Sequence, residues 1–304
     1  MDKDNIFITI FTPTYNRGYT IEKLYKSLLK QREQNFEWLI IDDGSTDNTK
    51  QIVEELIKKN EVNLRYIYKN NSGKYRAIND AIKIANGELF MIVDSDDYLE
   101  ENAIDTIKKY YNEISDNNDF IGVVGLKGNK NGDVYTAYLN EKNCKNKYYN
   151  LKYLDADFID YRYKYKISGD RAEVCKTKEL KKFKFPEISN EKFMGEGYLW
   201  NMIAEANYKF RYFNEVIYVA EYLEDGLSYN IKKILRNSPI NEMTCCNQIT
   251  GIKRIPLKNR IKASINYYRY GKVASLPIRQ LFKSSKNKIL SVVTIPISYI
   301  FKIK

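Results

Sequence analysis

Short apolar runs alternate with amphipathic stretches through the first 125 residues, and this alternation restricts the fold more than any other feature. The candidate strands are residues 6–12, 36–42, 64–68, 88–94 and 120–126, each bounded by polar or glycine-containing turns. Between them, residues 21–29 and 77–85 carry apolar side chains at the spacing of one helix face. Strands that alternate with helices feed a mostly parallel sheet. The sequence therefore predicts an α/β body.

The composition limits the chemistry that this body can perform. The chain of 304 residues contains no histidine, which excludes Ser-His-Asp and Cys-His nucleophiles and histidine metal ligands. Proton transfer must therefore use carboxylates, lysine or tyrosine. The 4 cysteines form no CxxC pair, and no N-terminal stretch resembles a secretion signal. We accordingly expect a protein of the reducing cytoplasm.

Charge divides the chain into two parts. The formal net charge is +11, but residues 231–304 hold 16 Lys/Arg against one acid, Glu242, so this segment carries +15 and residues 1–230 carry −4. We predict a catalytic domain over 1–230 and a basic tail over 231–304. A segment this basic favours polyanions, either anionic lipid or nucleic acid. No nucleic-acid recognition motif is present, and we therefore predict no nucleic-acid partner.

The tail has the pattern of helices that associate with a membrane surface. Leu257, Ile261, Ile265 and Tyr268 repeat at helical spacing among basic residues, which predicts a cationic amphipathic helix. Residues 289–301 are apolar, but they are only 13 in number and include Pro296, too few for a bilayer span of about 20 residues. We predict peripheral contact with the inner face of the cell membrane. The alternative is a helical subdomain that packs on the body or forms a homo-oligomer.

Two polar motifs directly follow the first two predicted strands. They are residues 12–17, TPTYNR, and residues 40–47, IIDDGSTD. Open α/β sheets bind ligands at the carboxyl ends of their strands, so both motifs are candidate binding loops. An ordinary loop and a capped helix start are the structural alternatives.

Two further motifs carry the charges that a phosphate-containing ligand requires. Residues 70–79, NNSGKYRAIN, open a helix with two cations, a favourable arrangement for an anion such as pyrophosphate. Residues 90–97, FMIVDSDD, place three carboxylates at the end of a buried strand. Carboxylates spaced by one residue can hold Mn²⁺ or Mg²⁺ together with substrate phosphates. A solvated helix turn and a surface acidic turn are the alternatives.

Taken in order and spacing, these four motifs resemble the nucleotide-binding half of glycosyltransferase family 2, which has the GT-A fold. The resemblance is clear over about 125 residues and extends to about residue 230 through segments 193–201 and 221–228. It implies that Thr12, Tyr15 and Asp43 contact the base of the nucleotide. The overall pattern is similar to that of bacterial surface-polysaccharide transferases.

The same resemblance assigns the charged residues. The D-x-D motif of the family corresponds to Asp94, which would face the ribose and the metal, and to Asp96, which would hold the divalent metal, Mn²⁺ or Mg²⁺. Lys74 and Arg76 would lie near the nucleotide. These assignments make the N-terminal half a metal-dependent site for a nucleotide sugar.

The catalytic base is the point at which the sequence departs from the family. The family commonly places an aspartate before a helix that carries an aromatic residue, but this chain has glycine, Gly197, at that position. Glu196 is therefore the candidate base, with Glu191 and Asp170 as second choices. A helix-capping role is the alternative for Glu196.

The function implied is inverting transfer of a sugar, from a UDP-sugar by preference, to a lipid-linked saccharide acceptor in cell-surface polysaccharide synthesis. Gly197 favours one alternative, an impaired homologue that still binds sugar nucleotides. A nucleotidyltransferase is a weaker alternative, because it requires a glycine-rich loop after the first strand, where this chain has TPTY.

Overall fold

The structure is a computed structural model that describes residues 6–131, 133–134, 151–221, 223, 226 and 229–300. The strands are β1 (Ile8–Thr14), β2 (Phe36–Asp42), β3 (Leu64–Tyr68), β4 (Leu89–Ile92), β5 (Tyr98–Leu99), β6 (Phe120–Gly128), β7 (Tyr153–Ala156), β8 (Arg171–Lys176) and β9 (Lys209–Val219). Within the described residues these 9 strands form one sheet in the order β3-β2-β1-β4-β8-β6-β9-β5, with β7 paired to β9.

Most of the strands run in one direction, as predicted. β1 pairs in parallel with β2 and β4, β2 with β3, and β6 with β9. β8 lies antiparallel between β4 and β6, and β5 and β7 run antiparallel to β9. The carboxyl ends of β1, β2, β4, β6 and β9 consequently meet at one edge of the sheet.

Helices cover both faces of this sheet. On one face, α1 (Gly18–Leu29), α2 (Thr49–Lys59) and α4 (Ala103–Asn112) bury Leu24, Val53 and Ile107 against strand residues such as Trp38. On the other face, α3 (Lys74–Ile84), the short α5 (Thr177–Leu180) and α6 (Gly197–Glu205) share a second core. Both predicted helices, at 21–29 and 77–85, are confirmed as α1 and α3.

The tail is helical throughout its described residues. It comprises α7 (Ile231–Asn237), α8 (Pro239–Gly251), α9 (Leu257–Val273), α10 (Ile278–Ser284) and α11 (Lys288–Ile300). Its first half is attached to the body: Ile252 and Ile255 pack with Ile159 and Ala204, and Gln248 bonds the backbone of Tyr198 at 2.9 Å. Across the described residues, no helix has the length and hydrophobicity to cross a membrane.

The amphipathic face predicted for α9 does not point uniformly outward. Tyr268 is buried beside Tyr267 and Leu281 in a small core of the tail, Ile261 and Ile265 are half-buried, and only Leu257 is largely exposed. The apolar positions of α9 therefore pack against α8, α10 and α11 for most of the helix, which supports the alternative of a packed helical subdomain for this part of the tail.

Candidate active site

A cleft of about 780 Å³ opens at the edge of the sheet where the carboxyl ends of the strands meet. Its lining comes from the ends of β1 and β6, from the segments after β1, β2, β3, β4 and β9, from the residue before β8, from residues 190–193 and from the start of the tail. The predicted site residues that line it are Tyr15, Asp43, Lys74, Asp94, Asp96 and Asp170.

The loop after β1 is fixed to the loop after β2. Asn16 has a left-handed backbone with φ of +53°, its N–H donates to the Ser45 hydroxyl at 2.8 Å, and its side-chain oxygen accepts from the Thr46 N–H at 2.8 Å. Tyr15 directly precedes Asn16, is 48% exposed and lines the cleft. An exposed aromatic ring held by a rigid loop can stack on a planar base.

Thr12 does not lie in the cleft. β1 extends to Thr14, so Thr12 is inside the strand, fully buried, with its hydroxyl accepting from the Trp38 indole N–H at 2.9 Å. The prediction that Thr12 contacts the nucleotide base is therefore corrected: its side chain belongs to the core. Pro13 and Thr14 line the cleft at this point instead.

Asp43 shapes the loop that precedes α3. Its carboxylate accepts from the Ser72 N–H at 2.8 Å and from the Gly73 N–H at 2.7 Å. Gly73 has φ of +101°, and a Cβ there would lie 2.0 Å from the Lys192 carbonyl oxygen, so only glycine permits this close approach. Asp43 and Gly73 together place Lys74 at the first turn of α3, inside the cleft.

Lys74 joins two predicted functions in one contact. Its Nζ lies 2.6 Å from Asp94 Oδ1 and 2.9 Å from Glu196 Oε1. Burial by itself would lower the pKa of Lys74, but the charges of Asp94 and Glu196 outweigh burial and raise it above its ordinary value. Lys74 is therefore a fixed cation between the D-x-D motif and the candidate base.

The three acids after β4 are in different electrostatic states. Burial favours protonation of Asp94, but Lys74 and Lys127 outweigh it and lower its pKa. Burial, and then the charge of Asp94, raise the pKa of Asp96 and raise that of Asp97 to about 7. Asp97 is also tied to the sheet, since it accepts from the Tyr218 hydroxyl at 2.6 Å.

Asp96 is the acid with the greatest need of an added cation. Within the described residues it forms no salt bridge, and it is crowded by the Asp94 carboxylate. No group of three His, Cys, Asp or Glu within those residues is arranged to hold a metal alone. A pair of carboxylates that shares a divalent ion with substrate phosphates fits this arrangement, because Mg²⁺ and similar ions commonly use one or two protein carboxylates there.

Two predicted residues have structural roles outside the cleft. The Arg76 guanidinium donates to the Ser72 carbonyl at 2.7 Å and to the Ile188 carbonyl, so the prediction that Arg76 lies at the nucleotide is corrected. The Glu191 carboxylate is 5% exposed and accepts from the Ile240 N–H at 2.7 Å and from the Asn241 N–H at the start of α8. Glu191 caps this helix, and we exclude it as the base.

The charges of both remaining base candidates, Glu196 and Asp170, act on a second lysine, Lys127. Glu196 directly precedes α6 and reaches the cleft through its contact with Lys74. Asp170 lines the cleft and lies 3.4 Å from Lys127 Nζ, with 67% of its side chain exposed. The charges of Asp170, Asp94 and Glu196 raise the pKa of Lys127 although burial opposes this. The acids and the two lysines thus form one charged network.

Comparison with known proteins decides the family. Residues 9–173, more than half of the chain, match the sequence model of Glycosyl transferase family 2. The chain belongs to this family.

Two similar proteins come from bacteria. The chain is 36% identical over 133 residues to glycosyltransferase GlyG of Streptococcus pneumoniae serotype 4, a match that covers 39% of this chain and 44% of GlyG. It is 34% identical over 122 residues to the poly(ribitol-phosphate) beta-N-acetylglucosaminyltransferase TarS of Staphylococcus aureus, covering 40% of this chain and 21% of TarS. The matches thus span less than half the length of these relatives.

Solved structures confirm the GT-A fold of this chain. A crystal structure of S. aureus TarS 1–349 in complex with UDP-GlcNAc aligns over 97% of this chain and 92% of that chain, with a TM-score of 0.57 and 20% identity. The mannosyltransferase PcManGT from Pyrobaculum calidifontis, in complex with GDP-Man and Mn²⁺, aligns over 98% of this chain and 81% of that chain, with a TM-score of 0.57 and 15% identity.

Several residues that line the cleft were not predicted from the sequence. Lys127 is at the carboxyl end of β6, so the rule that ligands bind at the carboxyl ends of parallel strands could have identified it, as it did Asp94. Lys192, Asn237 and Ser238 arrive from irregular loops and the start of the tail. No local pattern marks these positions, because long-range packing brings them to the cleft.

Proposed function

We propose that this chain transfers a sugar from a nucleotide diphosphate sugar, by preference a UDP-sugar, to a saccharide acceptor with inversion at the anomeric carbon. The observation that carries this proposal is the position of Lys74, whose Nζ contacts both Asp94 and Glu196. Through Lys74, the proposed donor-binding acid Asp94 and the base candidate Glu196 contact one and the same cation.

On the donor side, Tyr15 would stack on the base and the Asp43 region would bound it. Asp96 and Asp94 would hold Mn²⁺ or Mg²⁺, which supplies positive charge to the departing diphosphate. Lys74 and Lys127 would add charge from the protein. The family model supports the donor class, and the complexes of structural neighbours with UDP-GlcNAc and GDP-Man are consistent with it.

On the acceptor side, Glu196 would remove the proton from the acceptor hydroxyl as that oxygen attacks the anomeric carbon. In the structure Glu196 is held by Lys74, which also holds Asp94. Glu196 would therefore exchange a contact with Lys74 for the acceptor hydroxyl, while Lys74 turns to the diphosphate.

We further propose that the acceptor is a lipid-linked saccharide of cell-surface polysaccharide synthesis, used at the inner face of the membrane. The support is the basic tail, together with the polymer-directed activity in the name of TarS and of a Bacillus spizizenii poly(ribitol-phosphate) beta-glucosyltransferase, which is 30% identical over 183 residues.

The direct test is a panel of nucleotide sugars incubated with the full chain, Mn²⁺ and candidate saccharides. We expect one donor class to yield nucleoside diphosphate, and NMR of the product to show the anomeric configuration opposite to that of the donor. Product with retained configuration would contradict inversion, and absence of turnover with every donor that binds would contradict catalysis.

A second candidate is a homologue that binds sugar nucleotides but has lost the base. Gly197 favours it, because a Cβ added there meets no atom within 4 Å and an aspartate would have room. If Glu196 is the base, Gly197→Asp should not raise turnover. A large gain of transfer by Gly197→Asp would instead show that the natural chain is impaired.

A further inference from the structure

α11 exposes an apolar side to solvent, whereas an ordinary surface helix buries its apolar side. Ile289, Val292, Val293, Pro296 and Ile300 repeat at i, i+3, i+4, i+7 and i+11, which places them on one face. All five are exposed to solvent. The residues turned into the protein are instead largely small hydroxyl side chains. We refer to the five exposed residues as the outer face of α11.

The inward side of α11 is held by hydrogen bonds in addition to the apolar packing of Leu290 and Ile295. Thr294 Oγ1 lies 2.6 Å from Ser264 Oγ of α9, and Ser291 Oγ donates to Ser285 Oγ at 2.7 Å. Both side chains are fully buried. Because these hydroxyls already have partners inside the tail, rotation of the helix to bury its apolar side would leave them without those bonds.

The exposure of the outer face is extensive. Ile289 is 82% exposed, Ile300 74% and Val292 64%, and Tyr299 beside them is 57% exposed. Contiguous apolar surface of this kind marks a contact with a membrane or another apolar partner.

The surrounding charge decides between these partners. Residues 243–300 contain 11 Lys/Arg and no acid. Cations border the outer face directly: Lys272 lies over the Tyr299 ring at 4.9 Å, and Lys288 lies over the ring of the partly exposed Phe282 at 5.2 Å. A second copy of the tail would bring like charges together, whereas anionic headgroups would neutralise them.

We propose that α11 inserts its outer face into the interfacial layer of an anionic membrane and lies in the plane of that layer. A 13-residue helix is about 20 Å long, which is shorter than a bilayer core but sufficient to lie along its surface. Tyr299 would lie at headgroup level, beside Lys272. The inference rests on the membrane contact proposed above for the basic tail and assigns that contact to α11.

Insertion also gives the cleft a defined relation to the membrane. α11 packs on α9, α9 packs on α8, and α8 is joined to the cleft side of the body through Glu191 and Ser238, which bond Asn241 and Phe193 respectively. The membrane-bound helix and the loop that carries Lys192 and Phe193 are therefore parts of one continuous packing path.

The test uses the full chain with vesicles of phosphatidylcholine containing phosphatidylglycerol, and with vesicles of phosphatidylcholine alone. We expect sedimentation with the anionic vesicles only, weakened by salt. The double variant Val292→Ser/Val293→Ser should weaken this binding by about tenfold or more, since two inserted aliphatic side chains are lost. Ile57→Ser/Ile67→Ser, which alters two exposed aliphatic residues of the body, is the matched control.

Insertion itself is measured with Val292→Trp. Both natural tryptophans, Trp38 and Trp200, are buried in the body. Brominated acyl chains should therefore quench the fluorescence of Val292→Trp and leave that of the natural chain unchanged.

Three results would overturn the proposal: a full chain that stays in the supernatant at low salt, a Val292→Ser/Val293→Ser variant that binds vesicles as tightly as the natural chain, or a solution dimer that this variant dissociates. Hydrolysis of the nucleotide sugar without vesicles should be equal in the natural chain and the variant. Loss of membrane binding is therefore distinguishable from failure of the proposed transferase activity.

Discussion

The cleft and the tail differ in the partners that their lysine and arginine side chains have. In the cleft, Lys74 is paired with Asp94 and Glu196, and Lys127 with Asp170, so both lysines have carboxylate partners inside the chain. In the tail, 11 Lys/Arg of residues 243–300 have no acid in their own segment, although Arg254 bonds Asp157 and Asp160 of the body. The two lysines of the cleft are held by internal pairs, whereas the tail keeps a positive excess that an anionic partner would neutralise.

The difference has a physical consequence for each region. Buried charges that lose a partner are costly, so a ligand of the cleft must replace the internal pairs that it disrupts. A nucleotide diphosphate with a divalent cation carries both signs of charge and can do so. The exposed cations of the tail gain from any anionic surface, and salt should weaken that gain.

The largest expected loss of activity follows from substitution of Asp96, which forms no salt bridge within the described residues. Asp96→Asn should lower turnover by at least about four orders of magnitude, because a catalytic metal supplies several kcal/mol and each 1.36 kcal/mol is tenfold in rate. Release of nucleoside diphosphate at saturating Mn²⁺ measures it. Asp116→Asn, at an exposed turn after α4, is the control. Near-normal turnover of Asp96→Asn would remove the metal from Asp96.

The next effect separates the two remaining bases. Glu196→Gln should lower kcat by about two to four orders of magnitude, the usual contribution of a positioned base, with the donor KM little changed. Asp170→Asn, which removes the carboxylate that pairs with Lys127, is the matched variant and should retain most activity. The reverse result would assign the base to Asp170.

Several of the residues predicted from the sequence lie together in the cleft, and the reason for this is local. Tyr15, Asp43, Asp94 and Asp96 follow the ends of strands, and the carboxyl ends of parallel strands must meet at one edge. Reading apolar runs was therefore sufficient to bring these residues together. The role of Thr12, which only the family resemblance implied, was placed wrongly, because the strand extends two residues beyond Thr12 and buries its side chain.

Residues whose roles depend on distant partners were not predictable in this way. Arg76 bonds the carbonyl of Ile188, 112 positions later in the chain, and Glu191 caps a helix that begins 48 positions later. β8 and β9 alternate charged and apolar residues, and only their pairing with β6 shows that they are central strands. On α11 the periodicity showed an apolar face, but the hydroxyl bonds decided which face packs inward.

A smaller loss of activity is expected when the internal pairing of the cleft is broken. Lys74→Met leaves Asp94 and Glu196 without their cation, and it should lower kcat/KM by about tenfold to a hundredfold, which corresponds to about 1.4 to 2.7 kcal/mol of charge-assisted bonding. Lys69→Met, which breaks the more exposed pair with Asp80, is the control. Equal activity of the two variants would show that Lys74 does not organise the site.

The smallest expected effect concerns the single acid of the tail. Burial raises the pKa of Glu242 to about 6, and Cys246, 3.6 Å away, opposes this only partly. Because the folded pKa exceeds the unfolded value of about 4.3, the folded chain holds more protons between these values, and the contribution of Glu242 to stability is lost as pH rises through them. Glu242→Gln should therefore be less destabilised by a rise from pH 4 to pH 7, by about 1–2 kcal/mol in the free energy of unfolding. Urea unfolding at several pH values measures this difference, with the exposed Glu205→Gln as control. If Glu242→Gln and the natural chain lose stability in parallel over this range, the tail does not bury the charge of Glu242, and the single acidic side chain of residues 231–304 would then be solvated, in contrast to Asp94 of the cleft with its internal lysine partner.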